Sequence, residues 1–97
     1  MRGAGVNAII HRVPAISRFF GIVIAIYHRE HEPAHFHARY GGSKITVRIG
    51  DGAVDGSFPP RALALVLEWW HLHREELAED WRLAKLGMAL KPIEPLE

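Results

Sequence analysis

At 97 residues, with 48% hydrophobic and 24% charged residues, the chain is sized for one globular domain with a modest core. It contains no cysteine, which excludes disulfides and thiolate zinc sites, so any metal would have to be held by histidine and carboxylate. The net charge of +1 divides unevenly: residues 1–56 carry seven Lys/Arg against four acids, and residues 57–97 carry five against seven. The first half therefore suits anionic partners, although it is not basic enough to identify nucleic-acid binding by charge alone.

Residues 1–13 show no clear period and are expected to form an N-terminal appendage to a single domain over residues 14–97. They lack the long apolar stretch of a secretory signal. The longest apolar run, Phe19 to Tyr27, falls far short of the roughly 20 residues that span a bilayer. A soluble, cytoplasmic protein without a membrane partner is the expectation.

Phe19-Phe20-Gly21-Ile22-Val23-Ile24-Ala25-Ile26-Tyr27 is rich in β-branched and aromatic residues and apolar on both faces, which predicts an inner strand. His35 to Tyr40, Gly41-Gly42 and Ser43 to Ile49 read as a hairpin with a two-residue turn. Asp51-Gly52 marks a second tight turn, leading into a strand over Ala53 to Phe58.

The turns imply a register. With Gly41-Gly42 as the loop, Tyr40 opposes Ser43, Ala38 opposes Ile45 and Phe36 opposes Val47. The other face then pairs Arg39 with Lys44, His37 with Thr46 and His35 with Arg48. With Asp51-Gly52 as the next loop, Ile49 opposes Val54, Arg48 opposes Asp55 and Ile45 opposes Phe58. Both turns separate apolar from polar residues, and a slip of one residue would destroy that separation.

Pro59-Pro60 can open a helix, after which Leu63, Val66, Leu67, Trp70, Leu77, Trp81 and Ala84 recur at helical spacing. An unbroken helix over 60–86 would be about 40 Å long, against a radius of gyration of about 13 Å for a domain of this size. A break or bend near His73–Glu76 is therefore expected. Trp70 and Trp81 lie on the main stripe and are expected in the core, whereas Trp69 lies beside it and is the candidate for contact with another chain. The fold class is α+β: a four-stranded antiparallel meander with a long or broken C-terminal helix packed on one face.

From Ile16 onward the chain resembles a family of small bacterial proteins, domain of unknown function 4160. The residues that carry the likeness include Ile16-Ser17-Arg18-Phe19-Phe20-Gly21-Ile22, His31-Glu32-Pro33-Ala34-His35-Phe36-His37-Ala38, Pro60-Arg61-Ala62-Leu63, Glu68-Trp69, His73-Arg74-Glu75-Glu76-Leu77 and Lys91-Pro92-Ile93-Glu94-Pro95-Leu96. Ala34 stands where many relatives carry a second proline. The resemblance brings no catalytic residues. It implies a setting in which members often form one half of a two-gene pair, similar to toxin–antitoxin modules.

Histidine titrates near neutral pH and ligates metals, so the run around Pro33 is the candidate site. The register places His35, His37, Arg39, Lys44, Thr46 and Arg48 on one sheet face, left open if the helix covers the other. Arg39, Lys44 and Arg48 would hold phosphate, Tyr27 would stack on a base, and His35 and His37 would exchange protons in metal-independent endoribonuclease chemistry. No cofactor is expected on that reading, and the expected partners are RNA and a small cognate protein encoded nearby, with a homo-oligomer compatible. Two alternatives stand beside it. One is a non-catalytic module, regulator-like, that binds protein or DNA through the open sheet and Trp69. The other is a metal-binding protein whose ligands would be His31, His35 and His37, with Glu32 or Glu30 as a fourth ligand or hydrogen-bonded behind them, opposed by the cations on the same face. Edge cations that deter aggregation and a simple Arg48–Asp55 charge pair are the bland account of the same residues.

Overall fold

In the computed structural model, which describes residues 15–97, five strands follow one another as an antiparallel meander. They are β1 (Ala15–Phe19), β2 (Ile22–Ala25), β3 (His35–Tyr40), β4 (Ser43–Arg48) and β5 (Val54–Gly56), adjacent in chain order. Two helices follow, α1 (Pro60–Leu72) and α2 (Arg74–Lys85). The appendage expected over residues 1–13 lies outside the described residues.

The architecture is α+β, with five strands where four were expected. The apolar run from Phe19 is not one strand, because the chain reverses at Phe20-Gly21, where both residues have positive φ (51° and 81°). Two successive left-handed residues make the tight hairpin turn whose twist matches that of the strands. Phe20 points outward, 59% exposed, and the ring of Tyr40 lies against Gly21, where a Cβ would meet it at 3.3 Å. β1 thereby becomes an edge strand, with a register irregularity between Ala15 and Ser17 beside which Ile16 and Ser17 are both buried.

The β3–β4 hairpin has the register that Gly41-Gly42 implies, from Tyr40 opposite Ser43 to His35 opposite Arg48. The second hairpin does not. Val47 pairs with Val54, Thr46 with Asp55 and Ile45 with Gly56, two residues away from the expected pairing. The connection is longer than two residues because Asp51 organises it: its Oδ1 accepts from the Ala53 amide at 3.0 Å, while the Gly52 amide donates to the Arg48 carbonyl at 2.8 Å. Arg48 consequently forms a two-pronged ion pair with Asp51 (3.0 and 2.8 Å), which replaces the expected pairing with Asp55. A shift of two conserves side-chain parity, so the division between the faces survives.

On the inner face Ile22, Ile24, Phe36, Ala38, Ile45 and Val47 are buried with Ala62, Val66 and Trp69 of α1. Trp69 is fully buried, its ring 5.4 Å from Phe19 and 5.7 Å from Phe36, and its indole N–H donates to the Glu94 carbonyl at 2.8 Å. The expectation that Trp69 meets another chain is therefore corrected. Trp70 instead is half-buried, donating to the Ile49 carbonyl at 2.9 Å beneath the Arg74 guanidinium. An α1 that is apolar nearly all round offers no period from which its inward side can be chosen. The helix ends at His73 (φ −123°, ψ 27°), where the break was expected, and α2 restarts with its own phase, burying Leu77, Trp81 and Ala84. Glu75 and Glu76 open α2, and Arg82 and Lys85 close it, each sign matched to the helix dipole. No described helix is long and apolar enough to cross a membrane.

Trp69→Ala is expected to cost about 3–5 kcal/mol in urea denaturation, the range for emptying a buried aromatic site. A loss below 1 kcal/mol would mean that Trp69 is a surface residue after all.

Candidate functional site

The outer face of β3 and β4 carries the histidines. His35 and His37 alternate with the buried Phe36 and Ala38, so both imidazoles leave the core on the same side as Thr46 and Arg48. Their surroundings are more enclosed than an open sheet. The edge of Tyr27 packs on His37 at 4.5 Å between ring centres, and Trp81 of α2 packs on His35 at 5.2 Å. The side chains of His35 and His37 are 19% and 26% exposed, sheltered but within reach of solvent. Tyr27, the residue expected to stack on a base, lies against the His37 ring.

A loop residue completes the cluster. Between β2 and β3 the chain turns through His28-Arg29, with Arg29 at φ 64°, and through the cis Glu32-Pro33 bond, bringing the Glu30 carboxylate over β3. Glu30 Oε1 lies 2.9 Å from His35 Nε2 and 2.8 Å from His37 Nε2. The loop is tied to α2 by Lys85 Nζ, which donates to the Glu30 carbonyl at 3.1 Å, and by the Trp81 indole N–H, which donates to Glu32 at 3.3 Å. Burial alone would raise the Glu30 pKa. The hydrogen bond and charge of His37, with those of His35, more than offset this and hold it below its ordinary value of 4.5.

The sequence offers Glu30 and Glu32 equally beside the histidines; the contacts to His35, His37 and Lys85 bring Glu30 into the cluster, while Glu32 turns to Trp81. His31, the expected companion of His35 and His37, is exposed and outside the cluster. The expected grouping of His31 with His35 and His37 is therefore corrected: among the described residues the donor atoms that come together are those of Glu30, His35 and His37. Of the cations, Arg39 and Lys44 are exposed and directly opposed across the β3–β4 ladder. Arg48 is held by Asp51, whose carboxyl that hydrogen-bonded pairing lowers to about 2. Thr46 and Asp55 lie between these charges, bordering two shallow recesses: one of ≈ 380 Å³ reaches His35 and Arg48, the other of ≈ 420 Å³ reaches His37 and Lys44.

The two Nε2 atoms converge on one carboxylate oxygen. In that arrangement both imidazoles engage Glu30.

Comparison with known proteins adds the family. A family model described as a domain of unknown function (DUF4160) matches residues 21–82, a span that holds the whole Glu30–His37 segment and most of both helices. No curated protein and no solved structure matches the chain.

Glu30 titrates lower folded than unfolded, so its contribution to stability is complete above about pH 4.5 and is lost as the pH falls through the lower folded value. Wild type should accordingly lose more stability than Glu30→Gln on acidification through this window, in denaturation series at stepped pH. Parallel curves for the two proteins would show that the carboxylate is not engaged by the imidazoles.

Proposed function

The chain belongs to the DUF4160 family, whose description assigns no activity, so we propose a function from the chemistry of the outer sheet face: it receives the phosphate backbone of RNA. One observation supports this above the others. Arg39 and Lys44 stand opposite each other on adjacent strands, both exposed, and neither has an ion-pair partner among the described residues. Like charges directly opposed across a ladder destabilise it, and a bound phosphate removes the repulsion. The charges also belong to the half of the chain with the basic excess.

Phosphate contacts by lysine and arginine release counterions, so binding of this kind weakens steeply with salt. Arg39 and Lys44 hold the backbone; His37 lies two residues from Arg39 on the same face and would border the bound strand. Arg48 contributes less, since its guanidinium is already occupied by Asp51. The two-gene setting implied by the family resemblance gives this activity a place: the chain acts in the cytoplasm as the RNA-directed member of a toxin–antitoxin-like pair.

The test is binding of a labelled single-stranded oligoribonucleotide across a salt series. Replacing Arg39 and Lys44 together by alanine removes two phosphate contacts and should lower the slope of log K against log salt by about 1.4. An unchanged slope, or no salt-dependent binding by wild type, would refute the proposal. Induced expression of wild type and of His35→Ala/His37→Ala, followed for growth and RNA integrity, separates binding from cleavage. RNA loss caused by wild type alone would establish that the imidazoles are catalytic.

A further inference from the structure

The proton inventory of the Glu30–His35–His37 cluster does not close without a further cation. His35 Nδ1 lies 2.8 Å from the Pro33 carbonyl oxygen. A carbonyl only accepts, so Nδ1 carries a proton, and a neutral His35 then presents a lone pair at Nε2. That lone pair faces Glu30 Oε1 at 2.9 Å, an oxygen that His37 Nε2 approaches at 2.8 Å from its other side. Two lone pairs meet at contact distance unless something positive lies between them. A proton shared between His35 and Glu30 meets that need, and so does a metal ion.

We propose that Glu30, His35 and His37 bind one first-row divalent cation. The three donor atoms lie within 4.8 Å of one another, and opening the 2.8 and 2.9 Å contacts to Glu30 by a few tenths of an ångström admits a metal with the roughly 2.0–2.2 Å bonds that zinc makes to imidazole and carboxylate. Two imidazoles and one carboxylate, with no thiolate, suit zinc or ferrous iron, and oxygen-seeking magnesium and calcium are poorly served. Three protein ligands leave coordination positions open, as in catalytic and not in structural sites.

The outer shell has the form such a site requires. A ligating histidine almost always donates its remote ring N–H to a carbonyl or carboxylate, and His35 does so to Pro33. Tyr27 and Trp81 wall the two rings and restrict their rotation. Two cations beside the cluster are already engaged: Lys85 with the Glu30 carbonyl at 3.1 Å and with Glu32 at 3.9 Å, and Arg48, opposite His35, with Asp51. Arg39 and Lys44 stand one dipeptide step beyond His37, about 7 Å along the strand. The carboxylate of Glu30 offsets their repulsion. The proposal stands independently of RNA binding and is tested without nucleic acid.

Purified protein, stripped with a chelator and dialysed, is titrated with zinc by calorimetry and with cobalt(II) by visible absorption. Wild type should take up one equivalent of either metal, with cobalt giving ligand-field bands. Glu30→Gln, His35→Ala and His37→Ala should each weaken zinc binding by more than the roughly 10–100-fold typical of losing an outer-shell partner. His31→Ala and His73→Ala should bind as wild type does. Ring nitrogen NMR of wild type guards against variants that fail to fold: zinc should shift the Nε2 resonances of His35 and His37 and leave those of His31 and His73 in place. Failure of wild type to bind a stoichiometric metal would overturn the site, as would equal loss in His31→Ala. A His35 ring that stays doubly protonated when zinc is added would overturn it as well, identifying the second proton as the missing cation.

Discussion

The two-residue Gly41-Gly42 turn pairs β3 with β4 in a single register, and both sides of the sheet depend on that pairing. Because side chains alternate strictly, Phe36 and Ala38 go inward to meet Trp69 while His35 and His37 go outward. The core and the candidate site are thus two consequences of one set of hydrogen bonds. A slip of one position would exchange them, burying imidazoles against an indole and exposing phenylalanine. The cost of that exchange ties the geometry of the site to the stability of the fold.

The separation of faces can be read from the chain because it needs only alternation and a turn. Even where the second hairpin departs from expectation, the departure is by two residues, and Asp55 still joins Thr46 on the outer side. Three features depend on something other than local pattern. The reversal at Phe20-Gly21 uses a phenylalanine at positive φ, a residue that gives no turn signal. The inward side of α1 cannot be chosen from a stretch apolar in every direction, so Trp69 is fully buried where Trp70 was expected to be, and Trp70 is only half-buried. Glu30 is placed by contacts 55 residues away in sequence, through Lys85. Two histidines of the cluster stand out in the run of residues with Glu30 and Glu32 both near them, and tertiary closure selects Glu30.

Charge is distributed over the outer face in two zones. Around His35 and His37 a carboxylate dominates and cations are favoured. Two residues further along the strands, Arg39 and Lys44 dominate and anions are favoured. The half-burial of the imidazoles strengthens their interaction with Glu30 relative to water, while the exposed cations remain subject to screening by salt.

The tail after α2 runs back across the molecule. The Ile93 amide donates to the Ile16 carbonyl at 2.8 Å, and the Lys91 amide donates to the buried Asp80 at 2.8 Å. The outermost strand on that side therefore already has a hydrogen-bonded neighbour, and at the opposite margin β5 offers only three residues. Neither border is a good template for an added strand, which makes growth by lateral sheet extension unfavourable for this molecule.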